Sequence, residues 1–249
     1  MRYGILSDIH GNLEALDAAL DALGDLDIDQ YICLGDIVGY GADPNGCIAR
    51  VQGLTHHVIV GNHDHAAIGL TDITYFNAFA RRAVLWTSSQ LSQANANYLR
   101  NLPFVLNAEA PKVVSEDDVL FVHATPDCPE RWRYILTESE ARRQLAHLQQ
   151  HLCFIGHSHQ PVMFWRAPDQ TLQVADEEMS VDPHNKAIIN VGSVGQPRDR
   201  DPRAAFATWD THAGLIRIHR IAYDIQQAQR KIRDAGLPEI LAQRLEYGE

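Results

Sequence analysis

Five clusters of oxygen- and nitrogen-donor side chains punctuate the chain up to residue 159: Asp8-Ile9-His10, Gly35-Asp36, Gly61-Asn62-His63-Asp64, His123 and Gly156-His157-Ser158-His159. In an extended segment alternate side chains point the same way, so Asp8 with His10, and His157 with His159, can face one ion. Together Asp8, His10, Asp36, Asn62, His123, His157 and His159 offer carboxylate, imidazole and amide donors and no thiolate. That is more than one divalent cation needs, and the mixture suits Mn, Fe, Zn, Co or Ni better than Ca or Mg. A carboxylate shared by two ions would hold them about 3.5–4 Å apart, a spacing suited to in-line displacement at phosphorus.

Donors so far apart in sequence meet only if the ends of several strands meet. Short apolar runs at 3–6, 31–34, 57–60, 119–122, 153–155 and 187–191 read as buried strands. Between the first two, Leu13, Leu16, Leu20 and Leu23 recur at helical spacing behind Asn12, a plausible N-cap. Strand, helix and strand in that order argue for parallel pairing in an α/β domain, where the carboxyl ends of the strands share a rim. From 71 to 102 the pattern turns helical (Phe76, Phe79, Ala80, Ala83, then Leu91, Asn95, Tyr98, Leu99), as expected for a small helical cap inserted between strands. The remainder adds strands at 205–209 and 215–222 and helices at 225–235 and Glu239–Tyr247. No repeat or linker divides the chain, so residues 1–249 are expected to form one domain.

The 249 residues are 45% hydrophobic and 21% charged, an ordinary globular composition. The 21 Lys+Arg against 32 Asp+Glu give a net charge of −11, which argues against stable nucleic-acid binding or attraction to an anionic membrane. The N-terminal apolar run breaks at Asp8, and nowhere do about 18 uncharged apolar residues follow one another, so a cytoplasmic protein without a membrane partner is expected. The four cysteines form no C-x-x-C pair and read as reduced. A homo-oligomer is left open.

The five clusters, in this order, resemble the signature blocks of the calcineurin-like binuclear metallophosphoesterases. The fuller strings Ser7-Asp8-Ile9-His10-Gly11-Asn12, Gly35-Asp36-Ile37-Val38-Gly39-Tyr40-Gly41 and Asn190-Val191-Gly192-Ser193-Val194-Gly195-Gln196-Pro197-Arg198-Asp199 are similar to those of YfcE-type bacterial phosphodiesterases. The resemblance spans residues 3 to about 209 and implies a four-layer α/β/β/α sandwich. It implies that Asp8, His10, Asp36 and His159 hold one divalent metal and Asp36, Asn62, His123 and His157 a second, manganese being the first choice. His63 would serve as general acid or electrostatic stabiliser, with Asp64 setting its tautomer. Arg198, in the loop after Gly195, would grip a phosphate oxygen, with Arg131 and Arg133 as weaker candidates. The implied reaction is hydrolysis of a small phosphodiester by a metal-bridging hydroxide. A phosphomonoesterase (protein phosphatase or dinucleoside-polyphosphate hydrolase) and a non-catalytic scaffold on the same fold are the alternatives.

Overall fold

The computed structural model describes residues 1–107, 119–167, 169, 171–182 and 185–249. Its first half contains β1 (Arg2–Leu6), α1 (Leu13–Gly24), β2 (Gln30–Cys33), α2 (Pro44–Leu54), α3 (Asn62–Ala67), α4 (Ala78–Gln90), α5 (Gln93–Arg100), β3 (Val105–Asn107) and β4 (Val119–Val122). The second half adds α6 (Glu138–His147), β5 (Leu152–Ile155), β6 (Val162–Arg166), β7 (Leu172–Ala175), β8 (Glu178–Ser180), β9 (Ala187–Asn190), β10 (Ala204–Asp210), β11 (Leu215–Ile221), α7 (Ile225–Asp234) and α8 (Glu239–Tyr247).

The strands form two sheets, ordered β2-β1-β10-β11-β8 and β3-β4-β5-β9-β6-β7. Side-chain alternation sorts the apolar residues between layers. Tyr3 and Ile5 of β1, Val119 and Phe121 of β4, and Leu152 and Phe154 of β5 face one another between the sheets. Leu6, Cys33 and Phe206 point the other way, onto Leu16 and Leu23 of α1 and Cys47 and Val51 of α2. Leu120, Val122, Cys153 and Ile155 pack against Ala141 and Leu145 of α6. Helix, sheet, sheet, helix is the four-layer α/β/β/α order that the motifs implied. Phe121 and Phe154 stack at 5.3 Å and Tyr3 and Trp209 at 5.2 Å, each such ring contributing about 1.5–3 kcal/mol through burial.

β1 and β2 run parallel, as do β4, β5 and β9. Four of the five donor clusters follow directly after β1, β2, β4 and β5. The apolar run at 57–60 is not a strand: it makes one parallel bridge, Cys33 to Val58, because β2 ends at Cys33 and the Val60 N–H goes to the Pro103 carbonyl. The helical stretch 71–102 lies between β2 and β3, and its helices pack onto the rest of the fold. Ala80 and Ala83 of α4 pack with α7 and α8, and Leu99 of α5 joins the layer of α1 and α2. All four cysteines are free, and among the described residues no helix is long and apolar enough to cross a membrane.

Candidate metal centre

Five donors sit on left-handed backbone: φ is 53° at Asp8, 53° at His10, 51° at Asp36, 67° at His157 and 60° at His159. Each such residue costs on the order of 1–3 kcal/mol and persists only where its surroundings over-determine it. Here the loops brace one another. Asp8 N–H donates to the Gly35 carbonyl at 3.0 Å, His10 N–H to Asp36 at 2.9 Å, Gly195 N–H to Asp8 at 2.9 Å, and Gly156 N–H to His123 at 3.0 Å. Two glycines let the loops close this tightly, since a Cβ on Gly61 would collide with Asp36 Oδ1 and one on Gly156 with Asp8 Oδ2.

The donors gather in two adjoining groups, Asp8 with His10 and His159, and Asp36 with His123 and His157. Asp8 Oδ1 lies 3.2 Å from His159 Nε2 and 3.7 Å from His10 Nε2, and the two Nε2 atoms are 3.1 Å apart. Asp36 Oδ2 lies 3.3 Å from His123 Nε2 and 3.7 Å from His10 Nε2, so one oxygen faces both groups. Asn62 Oδ1 is 3.3 Å from His123 Nε2. The far nitrogen of each ring meets a carbonyl: His10 Nδ1 that of Val38 (3.1 Å), His123 Nδ1 Leu34 (2.8 Å), His159 Nδ1 Gln196 (2.5 Å) and His157 Nε2 Trp132 (2.9 Å). A carbonyl only accepts, so those nitrogens carry the proton, and in the neutral form of each ring the opposite nitrogen presents a lone pair to the centre.

The two carboxylates complete the pattern. Ser7 Oγ and His157 N–H donate to Asp8 Oδ2, and His63 N–H donates to Asp36 Oδ1, while Asp8 Oδ1 and Asp36 Oδ2 are buried without a hydrogen bond. Acceptors therefore face acceptors in a buried space, an arrangement that fits divalent cations. The family comparison agrees: the calcineurin-like phosphoesterase superfamily domain matches residues 1–214. The chain belongs to that superfamily. It is 37% identical over 244 residues to the uncharacterized protein MJ0912 of Methanocaldococcus jannaschii, covering 98% of this chain and 97% of that one. Among solved structures it is similar to a metallophosphoesterase from Sphaerobacter thermophilus, with a TM-score of 0.84 at 37% identity over 100% and 99% of the two chains. It shares its fold with the hypothetical protein PH1004 of Pyrococcus horikoshii OT3, with a TM-score of 0.79 at 21% identity over 100% and 98%.

Charge in this phosphoesterase centre is divided unevenly among the donors. Burial would push the Asp8 and Asp36 carboxyls up, but the surrounding imidazoles hold both below the usual range. Burial pushes His159 down to about 3 and His157 to about 4, which keeps their lone pairs free. His123 goes the other way: burial disfavours its charge, yet the Asp36 and Asp8 carboxylates raise it to about 9.

His63, at the start of α3, packs its ring against Tyr40 (4.4 Å), His10 (4.9 Å) and Phe76 (5.1 Å), with Nδ1 buried and unpartnered. The expected pairing with Asp64 is corrected. Asp64 Oδ1 accepts the Val38 N–H at 3.0 Å and Oδ2 the Gly61 N–H at 3.1 Å, so this carboxyl clasps the 35–41 loop to α3 instead of orienting the ring. Burial, reinforced by Asp36, raises it to about 7.

A cavity of about 350 Å³ opens beside the donors, lined by Tyr40, Asn62, His63, Phe76, Trp132 and Tyr134. Arg131 also borders it, whereas Arg133 pairs with Asp127 at 3.2 Å. Arg198 stands outside this lining, with Cζ 5.5 Å over the Tyr40 ring. A larger groove of about 650 Å³ reaches only Ser158 of the donor clusters. Sequence reasoning missed Ser7, Trp132, Gln196 and Arg244. For Ser7 and Gln196 a signal existed in the motif strings themselves; Trp132 acts through its backbone carbonyl, which leaves none.

Proposed function

We propose that the protein is a metal-dependent phosphodiesterase in which Asp8, His10, Asp36 and His159 hold one divalent cation and Asp36, Asn62, His123 and His157 a second. The observation that carries this reading is the position of Asp36 Oδ2, buried, without a hydrogen bond and within 3.7 Å of imidazoles from both groups. Cations held there supply Lewis-acid polarisation of the phosphoryl oxygens and lower the pKa of nearby water. Manganese is the first ion to test, and Fe, Zn, Co and Ni suit the same donors.

The chain's own groups bind and orient. His63, neutral because burial holds it well below its ordinary value, is fixed by Tyr40 and Phe76 where its ring can donate an N–H to a departing oxygen. The aromatic cavity gives the second substituent of a diester a place, which a monoester would leave unfilled. Arg198 brings positive charge to within 5.5 Å of the Tyr40 ring, which lines the cavity.

Purified protein, analysed for bound elements, is assayed on bis(4-nitrophenyl) phosphate and 4-nitrophenyl phosphate under each metal. The expected result is two equivalents of metal and preferential, chelator-sensitive turnover of the diester. Preference for the monoester would replace the reading with a phosphomonoesterase, and no turnover with both metals bound would favour a scaffold.

A further inference from the structure

The loop that carries Gln196 holds a second charged feature besides the metal-ligand cluster. While the Gln196 carbonyl accepts from His159 Nδ1, its side-chain Oε1 accepts from Arg198 Nη2 at 2.8 Å and faces Arg244 Nη1 at 3.4 Å. Two guanidiniums, one from this loop and one from α8, thus share a single neutral oxygen. The Nε atoms of both are buried with no acceptor. Among the described residues neither arginine is in an ion pair, whereas Arg2, Arg133, Arg203, Arg217, Arg220 and Arg233 each hold a carboxylate. Glu249 favours the charge on Arg244 only at a distance, against burial and the opposing field of Arg198.

Two half-buried like charges on one amide oxygen are costly, and guanidinium forks match carboxylate or phosphate oxygens far better than an amide. The pair also stands close to the donor centre. Arg198 covers Tyr40, and the same ring contacts His10 at 4.7 Å and His63 at 4.4 Å, so one aromatic ring separates the pair from the centre.

We propose that Arg198 and Arg244 form an anion subsite that takes a second phosphate group on the substrate, so that the preferred substrates are phosphoesters bearing a second phosphate. The inference rests on the phosphoesterase reading. With Arg198 and Arg244 on one phosphate, the reacting ester falls to the metal-ligand cluster and His63, and the distance between the two phosphates becomes a determinant of specificity.

The test compares ligands that differ by one phosphate. Binding of thymidine 3′,5′-bisphosphate against thymidine 5′-monophosphate, and of ADP against AMP, is measured by calorimetry on metal-loaded wild type, Arg244→Gln and Arg244→Lys. Wild type is expected to favour the doubly phosphorylated member of at least one pair by tenfold or more. The glutamine variant should lose that preference and the lysine variant recover part of it, with thermal midpoint and metal content preserved. In turnover, 4-nitrophenyl thymidine 5′-phosphate bearing a 3′-phosphate should show a lower KM than the same ester without it. Equal binding within both pairs, a preference retained by Arg244→Gln, or an advantage only for added carboxylates would overturn the proposal. Absence of turnover on either ester, with the binding preference intact, would count against the phosphodiesterase reading alone.

Discussion

His10 and His159 present their Nε2 atoms to each other at 3.1 Å, each with Nδ1 already committed to a backbone carbonyl. Two lone pairs at hydrogen-bonding distance, with the unpaired Asp8 Oδ1 beside them, repel unless a cation lies among them. Metal binding should therefore stabilise the fold strongly. At about a thousandfold excess over Kd the linkage is worth about 4 kcal/mol, or roughly 8–16 °C in Tm for a chain of this size. Scanning calorimetry of chelated protein with and without manganese or zinc measures it, and a shift below about 2 °C for every metal would contradict the donor geometry.

Asp36 should be irreplaceable for both ions. Its Oδ1 is occupied by the His63 N–H at 2.7 Å and its Oδ2 faces His10 at 3.7 Å and His123 at 3.3 Å, whereas Asp8 Oδ1 reaches the second group only at 4.0 Å from His123. Asp36→Ala is expected to lose both equivalents and all metal-dependent turnover, while His123→Ala should lose one. Elemental analysis of the two variants decides it, since one tight equivalent surviving in Asp36→Ala is incompatible with a shared ligand.

The donor clusters were legible because residue type and spacing carry them, and their convergence followed from parallel strands whose ends share a rim. The relation between His63 and Asp64 was misread for a physical reason. Both lie in α3, and neighbouring helical residues point about 100° apart, so adjacency in sequence makes face-to-face pairing unfavourable. In the β6–β7 hairpin, Val162-Met163-Phe164-Trp165 is an apolar run of the kind read elsewhere as a strand, whereas β7 left no such signal because it lies at the sheet edge with Gln173 and Val174 exposed. Arg244 lies 46 residues beyond Arg198 on a helix with ordinary amphipathic spacing, and only the packing of α8 brings it to Gln196.

Away from the centre, Asp210 gives a pH signature with a definite sign. It accepts N–H groups from Ala213 and His212 and pairs with Arg2 at 2.8 Å, which together hold its carboxyl down from 3.8 to about 2. A lowered carboxyl stabilises the fold above its ordinary value and loses that contribution as pH falls through the folded one. With the side chain 24% exposed, solvent screening reduces the effect to about 1 kcal/mol. Asp210→Asn should cost that much in urea unfolding at pH 7 and almost nothing near pH 2; equal losses would assign the effect to packing instead of charge.

His63 supplies the sharpest test of the chemistry. Its ring is held by Tyr40, His10 and Phe76, its backbone N–H serves Asp36, and its side chain is needed for neither donor group. If the imidazole N–H assists the departing oxygen, His63→Gln should keep two metals and lose on the order of 10²–10⁴ in rate. The loss should be largest for alkyl esters, whose leaving oxygen develops most charge, and shrink for nitrophenyl esters, which leave with little help. Equal losses across leaving groups would give His63 a substrate-positioning role. Loss of metal would make it a ligand, so metal content and rates are to be measured on the same preparation.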